Sequence, residues 1–147
     1  MRVVIQRVKY SKVEIRKKVV GKCDEGYLLL VGFTNNDNEK IIDKVVNKII
    51  NLRIFPDEND LMNKSILDIN GNILSISQFT LYADVSNGRR PSFVNALNPN
   101  EASKLYDLFN EKLSKYVHAE TGVFKEDMEV SLLNSGPCTI IIDSCDL

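Results

Sequence analysis

The feature that most restricts the fold is the unbroken apolar run Tyr27-Leu28-Leu29-Leu30-Val31-Gly32-Phe33, opened by Gly26. It is far shorter than the roughly 18 apolar residues that a membrane span needs. Its length suits a central strand, and a strand with no polar face must be covered on both sides. A second apolar run, Ile73 to Tyr82, follows the turn signal Asn70-Gly71-Asn72 and is also read as a strand.

The cover for such strands is visible in two helical patterns. Ile41, Ile42, Val45, Val46, Ile49 and Ile50 recur in pairs every four residues after the polar break Asn35 to Asn38. Their β-branching favours a strand, but the spacing is that of a helix with a wide apolar stripe, and spacing decides. The second helix starts at Asn98-Pro99-Asn100-Glu101, with Asn98 as N-cap, Pro99 as first helical residue and Glu101 as the acid of a capping box. Ala102, Leu105, Phe109, Leu113 and Tyr116 carry it to about Val117. Residues 2–9 and 12–16 read as strands, the second with one wet face, and Val19 to Cys23 extends this meander. Leu52 to Phe55 is a short strand stopped by Pro56, with loops at Asp57 to Lys64 and Val85 to Pro91. Three strand-like pieces close the chain: Thr121 to Phe124, Met128 to Leu133 and Cys138 to Asp143. The expectation is one α/β domain over residues 1–147, a mixed and mostly antiparallel sheet with two principal helices.

Composition removes several classes of function. The chain is 44% hydrophobic and carries a net charge of −1, so it can bury a core but lacks the excess cations of a protein that grips long nucleic acid. Lys9, Lys12, Arg16, Lys17, Lys18 and Lys22 crowd the N-terminal region and read as a solvated hairpin face. Cys23, Cys138 and Cys145 are too few for a disulfide framework and lack zinc spacing, so reduced thiols in a cytoplasmic protein are expected. His118 is the only histidine, which excludes a His-rich metal site, and its place at a helix end suits the macrodipole. The N-terminal MRVVIQRVK has no continuous apolar segment and does not read as a signal peptide. No Walker loop, GxGxxG or GxSxG elbow is present, so neither cofactor nor metal is expected.

Two segments remain as candidates for chemistry. In Ser75 to Asp84, SISQFTLYAD, a strand period puts Ser75, Ser77 and Phe79 on one side and Ile76, Gln78 and Thr80 on the other. Polar groups on both faces of a central strand either bond to neighbouring backbone or mark a strand end opening on a pocket, with Ser77, Gln78, Thr80 and free amides on offer. Thr80 could attack an acyl group, but neither a base nor an N-terminal amine is near it in sequence. In SLLNSGPCTIIID, Ser131 to Asp143, the Gly136-Pro137 pair reads on sequence alone as a simple turn before a buried strand.

These fragments, taken together, carry a resemblance. SQFTLYAD, GRRPSF (Gly88 to Phe93), AETGVF with DMEV (Ala119 to Val130) and NSGPCT (Asn134 to Thr139) follow in the order and spacing of the bacterial-type D-aminoacyl-tRNA deacylases. The match runs the whole length of the chain, with Cys138 standing where the family has a small apolar residue. The resemblance implies a homodimer that hydrolyses the ester between a D-amino acid and the 3′-terminal ribose of tRNA, and that also accepts glycine mischarged on tRNA(Ala). It implies a cis bond at Gly136-Pro137, with this element reaching into the partner's pocket as the chiral selector. By motif match Arg7 orients that element and Asn134 supports it. Ser77, Gln78, Phe79 and Thr80 line the reaction centre, Ala102 and Met128 the pocket wall, and Phe124 lies near the terminal adenosine. Hydrolysis then needs backbone donors near Phe79 and Thr80 and a ribose hydroxyl, with Thr80 as nucleophile the alternative. Arg89 and Arg90, or the N-terminal lysines, are the candidates for touching tRNA phosphates. A related editing hydrolase that uses a trans Gly-Pro geometry, and a module that binds a tRNA end without chemistry, are the competing readings.

Overall fold

The fold is built along its first strand. In the computed structural model, which describes residues 1–147, β1 runs unbroken over Arg2–Ile15. One of its edges pairs antiparallel first with β3 (Gly26–Gly32) and then with β2 (Lys18–Cys23). Its other edge carries β8 (Glu129–Asp143) from end to end. The two expected strands at 2–9 and 12–16 are therefore one. The register against β8 shifts between Gln6 and Val8 and again between Val8 and Ser11, where the partner on the opposite edge changes. The chain bends there without leaving the sheet, as bulges allow.

Beyond β3 the sheet is parallel. β6 (Asn72–Ser77) pairs with β3, and β7 (Ala119–Thr121) pairs with β6, so the sheet runs from β8 through β1, β3 and β6 to β7, with β2 following β3 along the same edge of β1. As expected, the sheet is mixed. α1 (Glu39–Asn51) and α2 (Pro99–Leu113) cover one face, where Tyr27, Leu29 and Val31 of β3 meet Ile42, Val45 and Ile49 of α1 and Phe109 of α2. The second half of β1 curls over the opposite face, so that Val8 and Val13 pack with Leu28, Leu74 and Ile76. This double cover is what the apolar run of β3 requires.

Asn98 caps α2 as expected, and Asn38, from the polar break at Asn35 to Asn38, caps α1. The Asn38 side chain accepts from Ile41 N at 3.2 Å, and that of Asn98 accepts from Glu101 N at 3.1 Å. The Asn98 side-chain amide in turn donates to the Glu101 carboxylate at 2.6 Å. α2 ends at Leu113 rather than Val117, because Lys115 and Tyr116 bond three residues back and tighten the last turn. His118 thus lies beyond the helix, exposed and 3.5 Å from Glu120.

Other boundaries also move. The apolar run at 73–82 leaves the sheet after Ser77, where pairing with Val31 ends, and Phe79–Tyr82 forms a 3₁₀ turn. The expected strand at 52–55 shrinks to β4 (Phe55–Pro56), and the loop at 57–64 contains its hairpin partner β5 (Met62–Lys64). The strand expected at 121–124 is β7, two residues earlier. The pieces at 128–133 and 138–143 are one strand, so Gly136-Pro137 is not a reversing turn. Their peptide bond is cis.

At the start of the parallel pair the two backbones nearly touch. Gly26 has φ +158°, and a Cβ there would lie 1.8 Å from the Asn72 carbonyl oxygen. Gly26→Ala therefore has to part β3 from β6, and it should lower unfolding stability by more than about 2 kcal/mol in urea titrations.

Candidate active site

The cleft forms where the parallel strands run out. β3 ends at Gly32 and β6 at Ser77, and both exits face an opening of about 660 Å³. Ligands of open α/β sheets gather at such carboxyl ends. Gln78 N still donates to Val31 O at 2.8 Å, and then the chain turns, with Leu81 N bonding back to Gln78 O at 3.3 Å. The first amides of a 3₁₀ turn have no carbonyl of their own turn to bond. Phe79 and Thr80 supply those amides.

The walls come from three further segments. Phe33 and the stretch Phe93 to Leu97 form one side, the start of α2 with Asn98, Pro99 and Ala102 the second, and Phe124 to Met128 with Val130 the third. Phe79, 57% exposed, meets Phe93 edge to face at 4.9 Å, giving the mouth an aromatic rim. Behind the wall, Phe124 packs 6.0 Å from the Tyr106 ring, and the buried Tyr106 hydroxyl donates to Ser75 O at 2.8 Å. Burial raises the Tyr106 phenol above its ordinary value.

The expected residues fall into two groups. Ser77, Gln78, Phe79, Ala102, Phe124 and Met128 line the cleft. Thr80 is exposed beside them, and its hydroxyl oxygen accepts from the Gln78 side-chain amide. No histidine lies at the cleft, whose charged lining is Lys125, Glu126 and Asp127. No three His, Cys, Asp or Glu side chains come together in a metal-binding group.

The second group stands away from this cleft, on β8 and β1. Arg7 donates through Nε to Ser135 O at 3.1 Å and through Nη1 to Ile54 O at 2.5 Å. Asn134 accepts from Cys138 N at 3.1 Å and donates to Thr139 Oγ1 at 2.9 Å. Between these ties Gly136 and Pro137 are exposed. Within one chain the structure does not bring Gly136, Pro137, Asn134 or Arg7 to the cleft.

Sequence reasoning did not place Phe33, Phe93 or Leu97 at the site. Phe93 had a signal, an aromatic two residues after the Arg89-Arg90-Pro91 loop. The Asn98-Pro99 cap was recognised as a helix start, yet nothing in its residues says that this start faces a cleft.

Solved structures share this fold over nearly the whole chain. One, of a "c-Myc DNA Unwinding Element Binding Protein", has a TM-score of 0.92 at 34% identity, covering 97% of this chain and 98% of that one. Another, of a "probable eukaryotic D-amino acid tRNA deacylase", has a TM-score of 0.83 at 16% identity, covering 96% and 97%, and speaks for the fold alone. They share one class of fold with this chain, a single-domain α/β architecture. The family model for D-Tyr-tRNA(Tyr) deacylase matches residues 4–143, and the chain belongs to that family. It is therefore an ester hydrolase that acts on D-aminoacyl-tRNA.

The buried phenol gives a pH test. A raised folded-state pKa means that the native state holds the proton more tightly, so the Tyr106 contribution is complete below pH ~10 and is lost as pH rises further. Tyr106→Phe should cost about 1 kcal/mol at neutral pH, through the lost bond to Ser75, and should flatten the alkaline decline in stability. Urea melts between neutral pH and pH ~11 would show both effects.

Proposed function

We propose that the cleft takes the aminoacylated 3′-terminal adenosine of tRNA and that hydrolysis is driven by backbone donors and the substrate's own ribose. The observation that carries this reading is the strand exit at Gln78. It leaves the Phe79 and Thr80 amides without partners in their own turn, while no base stands at the Thr80 hydroxyl. Those amides stabilise the oxyanion of the tetrahedral intermediate, and one such donor is worth about 10²–10³ in rate. The ribose hydroxyl beside the ester helps hold the attacking water. Ser77, Gln78, Ala102 and Met128 shape the aminoacyl pocket, and Phe124 packs near the adenosine.

Chirality is read by main chain supplied from a second copy. Gly136 and Pro137 are exposed, are tied down by Arg7 and Asn134, and are remote from the cleft of their own chain. In a homodimer this element enters the partner's cleft, where its carbonyls hold the substrate α-amino group and leave no room for an L side chain. Exclusion by clash can discriminate more strongly than a methylene of apolar fit, worth about 1–3 kcal/mol. Glycine, lacking a side chain, passes the same filter, which accounts for action on glycyl-tRNA mischarged on tRNA(Ala). The reaction belongs to the cytoplasm and needs no cofactor.

Thr80→Ala separates this mechanism from nucleophilic attack by Thr80. Single-turnover hydrolysis of D-tyrosyl-tRNA should stay within about tenfold of the unaltered protein; a loss beyond about 10³ with binding retained would make Thr80 the nucleophile. Gly136→Ala tests the selector. Gly136 has φ +124°, and an added Cβ would sit 2.7 Å from Arg7 Nη2. The D-over-L rate ratio should fall by at least about tenfold as the element shifts, a step on the scale expected when a wall defining the pocket moves.

A further inference from the structure

The β1–β2 hairpin carries a charge distribution that the hydrolytic cleft does not use. Residues 9–22 hold six cations, Lys9, Lys12, Arg16, Lys17, Lys18 and Lys22, against one anion, Glu14. The segment is thus +5, and the rest of a chain whose net charge is −1 carries −6. Lys9 pairs with Glu25 and Lys12 with Glu14, whereas Arg16, Lys17, Lys18 and Lys22 have no acidic partner within 4.0 Å. The hairpin tip, residues 16–18, is exposed throughout.

The tip's backbone adds an independent observation. Ile15 pairs with Lys18, leaving Arg16 and Lys17 as a two-residue loop with φ of +49° and +66°. Both central residues of such a turn favour Asn or Gly, because a side chain crowds the left-handed conformation. Here the two most strained positions of the hairpin hold two cations. A choice against local preference at an exposed tip marks a position kept for its side chains.

The hairpin also points the right way. Cys23 Sγ lies 3.7 Å from Tyr27 O, and a Cβ on Gly21 would lie 2.7 Å from Thr121 O and 3.1 Å from Leu74 Cδ1. From Cys23 back to Lys18, β2 thus runs along β6 toward the end at which the cleft opens. Val13 pairs with Val130, a residue of the cleft wall, and Lys17 lies about four residues past Val13, roughly 13 Å along a strand. Next to the Val13–Val130 pair stands Glu14 opposite Glu129, and the cleft lining adds Glu126 and Asp127, all of which repel phosphate. Beyond Lys125 of the cleft lining itself, the hairpin tip gathers three adjacent cations on one exposed surface.

We propose that Arg16, Lys17 and Lys18 form a phosphate-binding arm that holds the paired acceptor stem of tRNA while the single-stranded 3′ end enters the cleft. The inference rests on the cleft taking an aminoacylated 3′ end. Contacts to phosphates position a nucleic acid without reading its sequence, so one arm serves tRNAs of different acceptor sequence.

The test uses the full chain and two substrates, D-tyrosyl-tRNA and the D-tyrosyl ester of a CCA trinucleotide. The double variant Arg16→Asn with Lys17→Gly supplies the residues that the turn prefers, so it should fold and raise the unfolding midpoint. It should lower kcat/KM on D-tyrosyl-tRNA by about tenfold at low salt and flatten the log–log salt dependence by about 1.8, for two lost phosphate contacts on a duplex. Hydrolysis of the trinucleotide ester should be unchanged. Equal losses on both substrates, or no loss on the full tRNA, would overturn the arm. The unaltered protein's turnover of the trinucleotide ester tests the cleft separately: inactivity there would refute the reading of the cleft and not the arm.

Discussion

The parallel pairing of β3 with β6 is the interaction on which the rest of this structure depends. It starts at the near-contact of Gly26 with Asn72 and ends at the Val31–Ser77 pair. Between those points the two strands are buried on both faces, so helices have to cover one side and the curled end of β1 the other. Where the pairing stops, Gln78 N takes the Val31 carbonyl and the following amides are released. The cleft is therefore the place where a sheet committed to two-sided burial runs out of partners. Its donors are a by-product of strand termination, held rigid by the core beneath them.

The parts of the fold legible in the sequence are those set by local periodicity. The stripe from Ile41 to Ile50, the Asn98-Pro99 cap and the apolar run of β3 each carry their own geometry, and the structure has each where the pattern puts it. What was not legible depends on pairing. Nothing local says that β1 continues through Lys9 and Tyr10, because its continuity comes from β8 running along its whole edge. β8 pairs with β1 on either side of Ser135 to Cys138, so Gly136-Pro137 lies in an irregularity within one strand where local chemistry reads as a reversal. The reverse error occurs at Phe79: the apolar pattern runs on to Tyr82, but β3 offers no further partner and the chain coils into a turn. At the site, Ser77 and Gln78 betray themselves as polar residues on a buried strand, while Phe33 and Leu97 look like any other core residue and gain their place only through the fold.

The charge of the molecule follows the same division. A net charge of −1 would be a poor match for an RNA substrate if it were evenly spread. It is not evenly spread, since the β1–β2 hairpin is strongly cationic and the cleft wall from Glu126 to Glu129 is acidic. An uncharged aromatic rim, Phe79 against Phe93, lies at the mouth itself. Such a mouth suits the stacking of a base better than the gripping of phosphates.

A site made of main chain has a consequence for how this chain can vary. Substituting a side chain that supplies a proton or a nucleophile removes the chemistry outright, whereas a backbone amide survives any substitution that leaves its strand in place. The residues on which the proposed reaction depends most are then those that fix backbone position: Gly26 beneath the parallel pair, and Arg7 and Asn134 around Gly136-Pro137. Arg7 makes the point most clearly. Its guanidinium ties Ser135 of β8 to Ile54 in the segment after α1, and so connects the strand that bears the proposed selector to the body that bears the cleft. Lysine could carry the charge but not both bonds, because only a planar fork reaches two carbonyls in fixed directions. The requirement at that position is geometric, as it is throughout the proposed site, whose working groups are amides and carbonyls.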